Sequence, residues 1–183
     1  MGIQIIHHQN DFLRVRVCFV HQPLHLMKIA GNRSVHNILF VCHGNICRSP
    51  MAEFILKSLV KAKGLESEYH IESAAVSDEE TGNGIYPPAK RCLTQHGVWF
   101  DPAKTARKVT GADYARFDRI ICMDSSNTRL IKHIIPSDPE GKIHLMMSYT
   151  GRSKDVADPW YTGDFETTFQ DILSACEAML KFK

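Results

Sequence analysis

Ile38-Leu39-Phe40-Val41-Cys42-His43-Gly44-Asn45-Ile46-Cys47-Arg48-Ser49-Pro50-Met51 is the stretch that decides the fold. Its first four residues are an unbroken apolar run, as in a strand buried on both faces of a parallel sheet; a half-exposed strand would alternate. After the loop the period changes. Met51, Phe54, Ile55, Leu59 and Ala62 recur at three- and four-residue spacing, and Gly64 stands where a left-handed helix cap belongs. A buried strand thus runs through a short loop straight into an amphipathic helix.

The alternation continues towards the carboxyl end. Tyr69 to Ser73 reads as a strand, Pro88 to His96 as a helix closed by Gly97, and Arg119 to Met123 as a third strand. Asn127 to Ile134 is a helix stopped by Pro136, and Ile143 to Met147 a fourth strand. Phe165, Phe169, Ile172, Leu173, Cys176 and Leu180 mark a final amphipathic helix. The predicted class is α/β: three layers, a central four-stranded parallel sheet with helices on both faces. In such folds ligands bind beyond the carboxyl ends of the strands, where the loop at Cys42 lies.

Towards the amino end the character changes. Residues 1–36 hold five of the ten histidines and show no clear helical period, and Gly31-Asn32-Arg33-Ser34 breaks the chain before the first strong strand. They read as an extension to a domain over residues 37–183. Within them, periodicity decides neither an extra β-segment from Leu13 to Val20 nor Met27 as an internal start.

With 183 residues the chain suits one domain, and 44% hydrophobic content is enough for a core. Lys plus Arg number 22 against 20 Asp plus Glu, a net charge of +2, so there is no basic footprint for nucleic acid. No apolar run is long enough to span a bilayer, and no signal peptide is read, so no membrane partner and a cytoplasmic location are expected. Six cysteines without a CxxC pair argue against a disulfide scaffold or a zinc knuckle. His7, His8, His21 and His25 lack a supporting Cys or carboxylate set, so neither metal nor cofactor is assigned.

The loop itself carries chemistry. A short turn closing onto a helix start can aim successive backbone N–H groups inward, forming an anion nest reinforced by the helix dipole. Gly44 and Asn45 are residues that tolerate unusual backbone conformations. Arg48 presents a planar fork to two anion oxygens, which Lys cannot imitate. Cys42 at the nest floor, among N–H dipoles and Arg48, is placed to act as a thiolate nucleophile. A tetrahedral oxyanion is the predicted ligand.

These residues resemble the low-molecular-weight protein tyrosine phosphatases, whose signature reads almost as Val41 to Glu53 does. Support lies far from the loop, in family order: Ile71 to Ala75, Gln95-His96-Gly97, Ile121 to Asp124, and Asp158-Pro159-Trp160-Tyr161. The resemblance implies that Cys42 attacks phosphorus, Arg48 holds the phosphoryl oxygens and Asp158 is the general acid. Ser49, Ser73 and His96 would fix Asn45 in the nest. The substrate would be a phosphotyrosine protein or peptide, bound by His43, Gly44, Asn45, Ile46, Cys47, Ser49, Trp160 and Tyr161, with inorganic phosphate as product. Cys47, five residues after Cys42 in the same loop, either forms a disulfide that protects the nucleophile, towards which the resemblance leans, or only fills the back of the loop.

Elementary chemistry agrees with an acid. A phenol leaves with a pKa near 10, so its expulsion at neutral pH gains from a proton donor. Asp124, the other candidate, reads better as the cap of the next helix. Trp160 and Tyr161 suit an aryl ring. The loop Ser77 to Gly82 lacks the aromatic wall common in animal members and instead holds Glu79-Glu80, which should disfavour acidic peptide flanks.

Three alternatives stay in view. Thiol-dependent arsenate reductases need closely spaced further cysteines, whereas Cys92 and Cys122 are thirty residues apart. Protein-arginine phosphatases typically carry Thr where Ile46 stands. A silent phosphate-binding adaptor would have lost Cys42, Arg48 or Asp158.

Overall fold

Ile38, Phe40 and Cys42 of strand β1 (His36–Cys42) belong to one apolar cluster, and Leu39 and Val41 to a second. Alternate side chains of a strand point to opposite faces, so this division requires a core on each side. The computed structural model describes residues 35–181, and the sheet begins at His36. The segment Leu13 to Val20, Met27, Cys18 and the rest of the expected extension up to residue 34 lie outside the described residues, while His36, expected in that extension, is the first residue of β1.

β1 pairs in parallel with β2 (Tyr69–Ala75) on one side and β3 (Arg119–Cys122) on the other, and β4 (Ile143–Leu145) completes the order β2-β1-β3-β4. The first face is covered by α1 (Arg48–Ala62), α2 (Pro87–Gln95) and α6 (Phe165–Met179), whose Phe54, Leu93 and Phe169 join Phe40. The other holds Phe117, Ile131 and Ile135, around α3 (Gly111–Arg116) and α4 (Ser125–Leu130). Phe40 and Leu39, both wholly buried, each contribute about 1.5–3 kcal/mol of apolar burial. The expected three-layer α/β architecture is the observed one.

Several boundaries differ, each for a local reason. β2 continues to Ala75, because Val109 N donates to Ala75 O and Arg107 O accepts from Ala75 N, beyond the last apolar signal of the strand. The fourth strand stops at Leu145, and Met146 and Met147 enter the core from a 3-10 turn over Met146–Thr150. The fourth helix begins at Ser125 and tightens to a 3-10 turn after Leu130. α3 was not expected: its apolar face is too short to show a period. Its start is instead marked by Thr110 and Asp113, whose carboxylate accepts from the Thr110 N at 2.8 Å.

The chain leaves β1 through α1 to β2 on one side and later returns to β3 on the other. Strand order therefore reverses at the carboxyl end of β1, which opens a crevice at Cys42.

Candidate active site

Cys42 is the last residue of β1 and Arg48 the first of α1, so the loop between them is anchored by sheet and helix at once. Cys42 Sγ receives the Asn45 backbone N–H at 3.3 Å and lies 3.1 Å from Ser49 Oγ. The single Ser49 hydroxyl proton has two acceptors, Ala74 O at 3.3 Å and this sulfur. A thiolate claims it, whereas a thiol can donate to Ser49 in return. Asn45 takes the left-handed turn with φ 59°, as its residue type allows. Gly44 does not: its φ is not positive, and its lack of a side chain instead makes room for Glu80, since a Cβ would stand 2.9 Å from Glu80 Cγ and force that side chain to move.

Asn45 is held from behind. Its Nδ2 donates to Ser49 Oγ and Ser73 Oγ, both at 2.8 Å, and its Oδ1 accepts from Arg107 N at 3.2 Å. Ser73 passes its own proton to Glu53 Oε2 at 2.6 Å, and Glu53 is neutralised by Lys104 at 3.0 Å and Lys57 at 2.6 Å. Asn45 and Ser49, almost wholly buried, thus shape the loop from its rear.

The Arg48 guanidinium is buried between two carboxylates. Nη1 meets Asp124 Oδ2 at 2.6 Å and Val156 O at 3.3 Å, while Nη2 meets Asp158 Oδ2 at 2.5 Å. Burial pulls the guanidinium pKa down, but the charges of Cys42, Asp158 and Asp124 outweigh it and hold the group above its ordinary value. Each aspartate has a second duty. Asp124 Oδ1 caps α4 through Asn127 N at 2.6 Å, and Asp158 Oδ1 caps α5 (Pro159–Thr162) through Trp160 N at 3.1 Å. Capping and arginine binding coexist because a carboxylate has two oxygens.

A cleft of about 470 Å³ opens over this floor, lined by His43, Ile46, Glu79, Trp160 and Tyr161 among others. Trp160 is 54% and Tyr161 86% exposed, and Tyr86 backs the Trp160 ring at 5.0 Å. On the far rim His43 Nε2 meets Glu79 Oε2 at 3.1 Å. Cys47 lies in the loop wall beside Ile46; burial, followed by the charges of Cys42 and Asp158, pushes its thiol up to about 12.

A family model described as low molecular weight phosphotyrosine protein phosphatase matches residues 37–182. The chain belongs to that family. The pig low molecular weight phosphotyrosine protein phosphatase is 39% identical over 150 residues, covering 79% of this chain and 94% of its own. The Bacillus subtilis low molecular weight protein-tyrosine-phosphatase YfkJ is 38% identical over 146 residues, 79% and 93% of the two chains. The YfkJ crystal structure superposes with a TM-score of 0.78 over 82% of this chain and 96% of that one, at 38% identity. A Drosophila arginine phosphatase is also similar in structure, with TM-score 0.71 and 34% identity over 79% of this chain and 95% of that one.

In this family member the loop, the arginine and the Asp-Pro segment line one cleft, while His96 does not join them. Its Nε2 meets Glu166 Oε2 at 2.8 Å and its ring stacks on Phe169 at 3.8 Å, on the outer side of α2 and α6. Lys104 is the residue that reaches Ser73 O at 3.2 Å and Glu53 at 3.0 Å. Sequence reasoning also missed Glu53, Lys104 and Tyr86. Glu53 left a trace, as an acid set among the apolar residues of α1; Lys104 and Tyr86 left none.

Proposed function

We propose that this phosphatase hydrolyses phosphotyrosine in proteins or peptides through a phosphocysteine at Cys42. The observation that carries the proposal is the shared cleft: Cys42, Arg48 and Asp158 line one cavity and Arg48 holds Asp158, so nucleophile, phosphate clamp and acid face the same space.

The phosphate dianion enters the nest, takes loop N–H groups and the Nη2 edge of Arg48, and displaces Asp158 from it. Asp124 keeps the other edge, so the fork stays oriented. A dianion beside a carboxyl favours its protonated form, so the displaced Asp158 carboxylate takes up a proton from solvent and becomes the acid the next step requires. Cys42 Sγ attacks phosphorus in line, the P–O bond to the aryl group breaks, and the Asp158 proton passes to the departing oxygen. The carboxylate left behind then takes a proton from water as that water attacks phosphorus. The S–P bond breaks, Cys42 returns as thiolate held by Ser49 and Asn45, and inorganic phosphate leaves.

The aryl ring lies between the phosphate floor and the exposed faces of Trp160 and Tyr161, and Ile46 adds an apolar edge. That lining supports an aryl ester over an alkyl phosphate or a phosphoguanidine. A cytoplasmic, reducing setting suits the chemistry, and all five cysteines among the described residues are free and buried. The test is a rate comparison on phosphotyrosine, phosphoserine and phosphoarginine peptides of one sequence. Phosphotyrosine should be cleaved fastest, whereas faster phosphoarginine cleavage would assign the chain to arginine dephosphorylation.

A further inference from the structure

We propose that Cys92, His96 and Glu166 form a binding site for a divalent transition-metal ion, the donor set favouring Zn²⁺, which clamps α2 to α6. Cys92 lies in α2 and His96 one turn later at its cap, a four-residue spacing that puts both on one helix face. Glu166 stands in the first turn of α6, seventy residues further on. The fold thus assembles a thiol, an imidazole and a carboxylate whose donor atoms all lie within 4.8 Å of one another. Donors around tetrahedral zinc, bound at about 2.0–2.3 Å, stand roughly 3.3–3.8 Å apart, so small side-chain rotations complete the geometry.

Two neighbours prepare the site. The Phe169 ring, 12° from parallel with that of His96, fixes the imidazole plane with Nε2 directed at Glu166. The Cys92 thiol donates to the Phe165 carbonyl at 3.6 Å, which places the sulfur at the α2–α6 junction until the S–metal bond replaces that hydrogen bond. Burial, then the Glu166 charge, keeps the Cys92 thiol above its ordinary range, and a dication placed between sulfur and carboxylate turns that repulsion into two attractions. Binding is a proton exchange: Cys92–SH releases H⁺ as the S–metal bond forms, with no change in oxidation state. A cavity of about 410 Å³ adjoins the site and leaves the fourth position to water. Sulfur and imidazole donors select zinc or cobalt over magnesium and calcium, which require oxygen.

The full chain, stripped with a chelator, is titrated with Co²⁺ while the thiolate-to-cobalt charge-transfer absorption is followed, and with Zn²⁺ against a chromophoric chelator. A saturable one-equivalent band should appear in the parent, persist in Cys42→Ser and vanish in Cys92→Ser. His96→Ala and Glu166→Gln should each weaken Zn²⁺ at least about tenfold, since even loss of an outer-shell partner costs about 10–100-fold. Zn²⁺ should raise Tm in the parent and not in His96→Ala. If Cys92→Ser does not fold, the partly exposed His96 variant decides the matter alone. An undiminished band in Cys92→Ser, unchanged Zn²⁺ affinity in His96→Ala, a band lost only in Cys42→Ser, or no saturable band in the parent would overturn the proposal.

Discussion

Nη2 of Arg48 and Oδ2 of Asp158 are 2.5 Å apart, so the proposed acid is held on the arginine that is to receive the phosphate. A ligand able to displace the carboxylate must bring charge of its own, which ties the release of the acid to arrival of the phosphoryl group. The exchange is local, because Asp158 remains fastened through Oδ1 to the start of α5.

Replacing Asp158 with Ala should therefore separate two kinds of substrate. On a phosphotyrosine peptide, whose leaving group needs a proton, kcat should fall about a hundredfold or more. On an activated aryl phosphate with a stable leaving phenolate, the phosphorylation step should slow much less. Equal losses in single-turnover rates on both would remove Asp158 from the acid role.

Arg48→Lys keeps the charge and loses the fork. One ammonium cannot meet Asp124 and two phosphate oxygens at the geometry the guanidinium provides. Turnover at saturating substrate should drop about a hundredfold or more, on the scale of losing a transition-state donor. Full activity in the Lys variant would contradict the planar clamp.

Lys104→Met should act on stability and loop shape together. It leaves Glu53, only 4% exposed, with the half-exposed Lys57 as its remaining cationic partner. Loss of a partner to a buried charged group costs about 1–3 kcal/mol, which thermal unfolding should register as a lower Tm. Adding Glu53→Gln should restore part of the loss, as removal of the uncompensated charge requires.

The main lines of the fold were legible because they rest on large, repeated signals. Ile38 to Val41 had to be buried on both faces, and the stripe from Met51 to Ala62 had to be a helix, whatever the remainder did. Cys42, Arg48 and Asp158 stood out because residue type, spacing and the neighbouring elements coincided. Pairings across long sequence distances were not legible. Nothing in the local pattern of Lys104 announces that it reaches Glu53, and His96 lies near Glu166 only because α2 and α6 pack side by side. Asp124 shows the intermediate case: its capping role was readable from position, while its hold on Arg48 came from the second oxygen.

Oxidation gives a pH-dependent prediction. Peroxide should attack Cys42 first, and Cys47 should then capture the sulfenic acid as a disulfide that dithiothreitol reverses. Capture needs the Cys47 thiolate; burial, the largest cause that holds this thiol above its ordinary value, persists after Cys42 loses its charge, so Cys47 is protonated at neutral pH. Its thiolate fraction grows about tenfold per pH unit below its raised pKa, and the recoverable share of activity should rise from pH 7 to 9. The Cys47→Ser protein should show little recovery at any pH; recovery equal to the parent's would refute capture.

Glu79 and Glu80 should set a modest preference among peptides. Both stand at the cleft rim, Glu79 against His43 and Glu80 over Gly44. Acidic residues flanking the phosphotyrosine should raise KM a few-fold, an effect that shrinks in high salt because exposed charges are screened. Glu79→Lys should lower KM for the same acidic peptides with kcat little changed.

The central claim is that phosphorus passes through the sulfur of Cys42. Its most direct measurement is an acid quench of the Asp158→Ala protein, mixed with an activated aryl phosphate, followed by mass spectrometry of the proteolysed chain. Phenol release should show a burst approaching one equivalent, and the peptide containing Cys42 should carry one phosphoryl group on that residue. Release of phosphate without a burst, or a phosphoryl group found on any other side chain, would contradict the account.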